Sequence, residues 1–371
     1  MDWESLKMGS SKCELENSSI PLALGKSTFA LRQECFDTLK FFLAFGVVII
    51  HTGFTGYMGL GIRALARVAV PLFFMITGYY LPLMTDEKFR KHLKKVVWLT
   101  VFSTLFYFLY SYVESRVGSY VSPDWFLQTF NVRRIVKWLL FNNLPFVGHL
   151  WYFYALLYVF VILYIIRKWK RMDVAYRVLP FLFLGNYLLS FLGNGLYYRN
   201  FLFTGLSYVL LGCLFRNYEK RLLKVFHHSR TLILGLVVLC VCLGVEMMVY
   251  RLAGFNFGRD HYLFTFPMVA CIFMLCLRQP HWGKGSFLAL VGKKYSAYIY
   301  IFHIFIMSCI QYVLKFVAGK ELYQEIIQNG LFRNCYPFLV FGATLISVMI
   351  GYKVWFLFFN KFTRTVFPKK D

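Results

Sequence analysis

Hydrophobic positions in this chain fall in blocks of about 20 residues, the length an α-helix needs to cross a bilayer core of roughly 30 Å. Ten blocks are read: 36–56, 68–85, 96–113, 148–166, 177–192, 200–215, 231–250, 262–277, 295–314 and 335–359. The fifth and sixth are short, which suits kinked or tilted helices. Most connections between blocks are short and polar. The exception is 114–147, where apolar residues at 126, 127, 130, 135, 139 and 140 oppose Arg133, Arg134 and Lys137. That pattern predicts an amphipathic helix lying in the outer headgroup layer, with Trp125 and Trp138 as interface anchors, or else a plain connector.

Composition agrees. The 371 residues are 59% hydrophobic and only 16% charged, with a mean hydropathy of +0.57. A soluble domain of this length carries far more charge. The predicted fold class is therefore an all-α polytopic membrane protein, a bundle of about ten transmembrane helices. The net charge of +24 raises the question of nucleic acid, but its distribution answers it. Of 41 Lys and Arg, 27 fall in the two tails and the loops on their side, against 12 in the alternate loops; Lys40 and Lys353 lie inside blocks. This positive-inside bias places both termini in the cytoplasm, and no nucleic-acid partner is expected.

The expected organisation is a cytoplasmic tail over 1–35, one transmembrane domain over 36–360 and a cytoplasmic tail over 361–371. Residues 1–35 lack the apolar core and small-residue cleavage site of a signal peptide. The nine cysteines are scattered without metal-ligand spacing, so neither a disulfide framework nor a metal site is expected.

Two ionisable side chains, Lys40 and His51, interrupt the first block. Such groups are costly inside a hydrocarbon span and usually serve a function. Eleven residues at 100° each return to within about 20° of the starting direction, so both share one helix face roughly 16 Å apart. Asp37 lies within about 60° of that face. Alternating topology puts Asp37 and Lys40 near the cytoplasmic side. It puts His51, Arg67, His149 and Glu246 at similar depths near the outer leaflet, with His303 at mid-depth.

These groups sit in ordered motifs: Asp37-x-x-Lys40 with His51; Arg67-Val68-x-Val70-Pro71-Leu72-Phe73-Phe74-x-x-Thr77-Gly78-Tyr79; His149-Leu150-Trp151-Tyr152; and Tyr295-Ser296-x-x-Ile299-Tyr300-x-x-His303. In this order, across 35–359, they resemble the integral-membrane acyltransferase 3 family. Leu263, Pro267-Met268-Val269 and the segment around Gly212 are similar to its branch containing the enterobacterial common antigen O-acetyltransferase. Lys40 stands where the family normally has arginine; the charge is kept and the bidentate fork is lost. Thr77 stands where many members have serine, which keeps the hydroxyl.

The resemblance implies a bacterial inner-membrane enzyme. It would move an acetyl or small acyl group from cytosolic acyl-CoA to a hydroxyl of a cell-envelope polysaccharide or lipid-linked sugar. Acyl-CoA enters as a co-substrate, with no bound cofactor and no metal. His51 is then the general base, its alternative being a satisfied interhelical hydrogen bond. Lys40 faces the acyl-CoA path or pairs with Asp37. Arg67 polarises the acyl carbonyl, holds the acceptor, or snorkels to headgroups. Glu246 orients an imidazole or pairs with Arg67. Asp37, Thr77, Tyr79, His149, Trp151, Tyr300 and His303 are the remaining candidates for binding acyl-CoA or acceptor. The rival class is a secondary transporter of a small polar solute or acyl group, with the intramembrane His, Glu and Lys as its path.

Overall fold

A computed structural model describes residues 34–117, 124–254 and 261–366. The expected tails fall largely outside the described residues. Within them the chain is helical throughout, with no strand. In order the helices are α1 (Glu34–Thr52), α2 (Gly56–Ala66), α3 (Ala69–Tyr80), α4 (Asp86–Val117), α5 (Trp125–Thr129), α6 (Val132–Phe141), α7 (Trp151–Lys168) and α8 (Met172–Ser190). A π-helical turn, Phe201–Leu206, then leads into α9 (Ser207–Asn217). There follow α10 (Glu219–Val225), α11 (Ser229–Leu252), α12 (Thr265–Arg278), α13 (Phe287–Lys294), α14 (Ser296–Gln328) and α15 (Gly330–Val366).

Among the described residues, seven stretches are long and apolar enough to cross a membrane: α1, Gly56–Leu83, Asp86–Arg116, α7, α11, α14 and Gly330–Val354. Helix α11 is the most apolar of these, yet Leu234, Val238, Val241, Val245 and Met248 are all more than half exposed. Such a surface is stable only against lipid or another apolar partner. The other three expected blocks also form helices, α8, the continuous Phe201–Asn217 and α12, the last two falling short in length.

The second span is not one straight helix. Pro71 has no N–H to give the carbonyl of Arg67, and α2 gives way to α3 at Arg67-Val68. Arg67 therefore sits at an internal bend rather than at the start of the span. The amphipathic region 124–141 is likewise two short helices, α5 and α6. Asn131 caps the second, its side chain accepting from the Arg134 N–H at 3.0 Å. Trp125 does not face outward as an anchor. It is buried on Phe108, Tyr112 and Phe130, leaving Phe126 and Leu127 exposed.

Close helix crossings fix the bundle. A Cβ on Gly78 would lie 2.0 Å from the Val209 carbonyl oxygen, and one on Gly212 2.1 Å from that of Met75. Helices α3 and α9 thus touch backbone to backbone, as small residues allow in membrane packing. Gly292 of α13 meets α1 in the same way at the Asp37 carbonyl. Between α1, α3 and α12, the rings of Phe36, Tyr79 and Phe273 pack at centroid distances of 4.7–5.6 Å.

Candidate active site

His51 lies in the last turn of α1, which Gly53 ends in the left-handed conformation at φ 69° with its N–H on the Ile49 carbonyl. A side chain at Gly53 would also strike the Arg63 guanidinium, so glycine serves both the stop and the close approach. This sharp end holds the imidazole at the wall of a cavity of about 420 Å³. Arg67, His149, Trp151 and Tyr300 share that wall, with Arg199, Thr204 and His261 completing its polar part. Three of the four residues expected at one depth, His51, Arg67 and His149, thus meet at one site.

Three imidazoles form the inner corner. The His51 ring centroid is 5.1 Å from that of His303 and 6.4 Å from that of His149, and the latter two are 5.3 Å apart. His303, expected deeper, is level with His51. His51 keeps exposed surface, whereas His149 and His303 are buried.

On α14 the Tyr107 hydroxyl donates to the Ile301 carbonyl at 2.7 Å and accepts from the Phe305 N–H at 3.2 Å, touching both ends of one rung of the helical ladder. His149 Nε2 also lies 3.2 Å from the Ile301 carbonyl, and the Tyr300 hydroxyl donates to the His149 carbonyl. The His149 turn is thereby clamped to α14 at two points. On His303, Nδ1 lies 2.8 Å from the Tyr300 carbonyl, while Nε2 has no hydrogen-bond partner among the described residues.

Thr204, on the π-helical turn, lines the same cavity. Asn200 caps the turn, accepting from the Leu202 and Phe203 N–H groups at 3.0 Å. Asn186 of α8 donates to the Phe203 carbonyl at 3.0 Å and to the Thr204 hydroxyl at 3.1 Å. Thr204 in turn lies 3.4 Å from His261 Nε2. Single π-turns are frequent at functional sites, and this one carries a wall residue.

Glu246 is placed elsewhere than expected. Its carboxylate accepts from the Tyr250 hydroxyl at 2.9 Å and from the N–H groups of Leu263 and Phe264 at 2.7 and 3.3 Å. It fastens the start of α12, two residues beyond His261, and does not hold an imidazole. Asp37 and Lys40 form a 3.3 Å ion pair near the opposite end of α1. The Thr77 hydroxyl bonds back to the Phe73 carbonyl at 3.0 Å within its own helix. Tyr79 joins a separate network, donating to Glu219 at 2.9 Å and accepting from Arg216 at 3.0 Å.

Arg199 and His261 were not anticipated from sequence. Both lie in connections, where no periodicity marks them. The one available signal was that each flanks a short apolar block at its outer end.

A helical, multi-pass bundle with basic and imidazole side chains around one intramembrane cavity is the architecture of a membrane enzyme or carrier. A family model decides between them: the acyltransferase domain of the acyltransferase 3 type matches residues 33–353, and the chain belongs to that family of membrane acyltransferases. No curated protein and no solved structure matches the chain.

Proposed function

We propose that the protein is an O-acyltransferase of the bacterial inner membrane. It moves an acetyl or other small acyl group from cytosolic acyl-CoA to a hydroxyl of a cell-envelope polysaccharide or lipid-linked sugar. The observation that carries this reading is the accessible His51 ring on a cavity wall shared with Arg67, His149 and Trp151.

In this reading His51 takes the proton as the acceptor hydroxyl oxygen attacks the thioester carbonyl carbon. The C–O bond forms and the C–S bond breaks. The CoA thiolate leaves and recovers the proton from the imidazolium, so His51 is regenerated. Arg67, held at the bend between α2 and α3, supplies charge-assisted donors for the developing oxyanion. Arg199, Thr204, His261 and Trp151 line the acceptor side. Glu246 acts at one remove by fixing the segment that carries His261. Lys40 and Asp37 stand on the cytosolic approach, where the ammonium meets the acyl-CoA phosphates as a point charge. The proposed topology has ten helical crossings, with Phe201–Asn217 and α12 as the short ones and both termini in the cytosol. Placement in the enterobacterial common antigen branch remains part of this proposal, resting on the Gly212 and Pro267 segments.

Purified protein incubated with labelled acetyl-CoA and a membrane glycan extract tests the reading. The expected product is label in alkali-labile ester on glycan, with Lys40→Ala raising the KM for acyl-CoA severalfold. Uptake of label into vesicles without ester would support a transporter instead.

A further inference from the structure

Behind the cavity wall, 5.1 Å from the His51 ring, lies a histidine whose function the acyl-transfer scheme leaves unassigned. His303 is 1% exposed, and Nε2 is sealed from water without a partner among the described residues. Leaving a buried polar nitrogen unpaired costs about 1–3 kcal/mol, so such an atom ordinarily has a use. Its ring is not free to turn. Nδ1 faces two acceptor-only carbonyls, Tyr300 at 2.8 Å and Ile299 at 3.2 Å, and must carry the proton of the neutral ring. Nε2 is then a lone pair, which can only accept.

Two imidazoles stand beside it. His149 is committed through Nε2, which faces the Ile301 carbonyl and so donates there. Its remaining nitrogen in the neutral ring is also a lone pair, and two lone pairs cannot bond each other. His51 is the nearer ring, at 5.1 Å between centroids, and the accessible one. Two imidazoles joined by an N–H···N bond of about 2.9 Å have centroids roughly 5 Å apart. The observed 5.1 Å separation is that spacing.

We propose that His303 is the positioning residue of the site. Its buried Nε2 accepts the N–H of His51, fixes which nitrogen of His51 is protonated, and turns the other nitrogen's lone pair toward the cavity. The chain Tyr300 carbonyl, His303, His51 does with a backbone carbonyl and a second imidazole what a buried carboxylate does behind other catalytic histidines. It also stabilises the imidazolium that forms when the acceptor hydroxyl gives up its proton. Glu246, spent on the α12 amides, is not available for that task. The inference rests on His51 being the base.

Two polar substitutions of similar size separate the role from packing. In His303→Gln the side-chain carbonyl reaches the place of Nε2 and accepts from His51. In His303→Asn the shorter amide replaces Nδ1, keeps the bond to the Tyr300 carbonyl and leaves His51 without an acceptor. With labelled acetyl-CoA and glycan extract, His303→Gln is expected to keep kcat within about fivefold of the parent. His303→Asn is expected to lose about 100-fold in kcat with KM for acetyl-CoA within twofold. Matched thermal melts of the two variants in detergent certify comparable folding; if His303→Asn melts early, His303→Met and His303→Leu, which offer no acceptor nitrogen or oxygen, take its place and are expected to match the 100-fold loss. Equal activities for Gln and Asn, or a loss expressed in KM alone, would overturn the proposal. An active His51→Ala protein would overturn the base assignment itself, whereas an inactive His51→Ala beside unaffected His303 variants would remove only His303.

Discussion

At the scale of single residues, chemistry and scaffolding are divided among groups that look alike in sequence. His51 is exposed to the cavity and His303, on the far side of the same contact, is sealed. Lys40 has its counter-charge three residues away on its own helix, whereas the arginine at the bend of the second span serves the cavity. Glu246 shows how a buried carboxylate can be committed to backbone rather than to a cation. Hydrogen bonds to a charged acceptor contribute about 1.5–3 kcal/mol each. Glu246→Ala is expected to destabilise the protein by about 2–4 kcal/mol, with Glu246→Gln milder, read as the shift in a thermal melt in detergent. Activity should fall with it, through KM for the acceptor more than for acetyl-CoA, because the released segment carries His261. Unchanged melting in Glu246→Ala would mean that the amides of Leu263 and Phe264 find other acceptors at no cost.

At the scale of elements, the site is assembled by interruptions of regular helix. The stop at Gly53, the bend before Pro71 and the π-turn beside α9 each turn a side chain toward the same space, and the Tyr107 hydroxyl ties α4 to α14 beside it. Hydrophobic blocks marked where helices are, because bilayer thickness imposes a length on them. The blocks also carried the spacing that puts Lys40 and His51 on one face. What they could not carry was the interruptions. Nothing in the periodicity around Ile301 announces that a tyrosine from α4 bonds to that rung, and nothing around Arg199 or His261 announces that they reach the cavity. The second span illustrates the limit: Pro71 was visible, but the turn it permits lies four residues earlier, at Arg67. Trp125 is a similar case, since an aromatic near an interface reads the same whether it faces headgroups or the Phe108 ring. The tight crossing of α3 on α9 gives a quantitative expectation. Gly212→Ala places a methyl against the Met75 backbone, where neither atom can yield without moving a helix. Overpacking of this kind costs about 1–3 kcal/mol. Gly212→Ala should therefore melt several degrees below the parent, and Gly235→Ala, in open space on α11, should not. Equal melting of the two would contradict the backbone contact between α3 and α9.

At the scale of the whole molecule, the charge asymmetry and the cavity make a joint statement about sidedness. In the proposed topology the loops rich in Lys and Arg lie with the Asp37–Lys40 end of α1, and the imidazole cluster lies toward the other end. Lys224 and Lys320 are both exposed and belong to opposite sides of the proposed topology. Lys320→Cys on intact cells should react with a membrane-impermeant maleimide beyond the background of the parent, and Lys224→Cys only after lysis. The reverse pattern would invert the orientation and with it the assignment of donor and acceptor faces. The membrane acyltransferase family is established by a match over nearly the full described chain, so the open question is whether this cavity is where acyl transfer happens. Single-turnover ester formation from labelled acetyl-CoA, with folded parent and folded His51→Ala compared at the same acceptor concentration, addresses it most directly. Loss of a general base predicts a rate lower by about 10²–10⁴ in His51→Ala. Equal rates in the two proteins would move the chemistry out of this cavity.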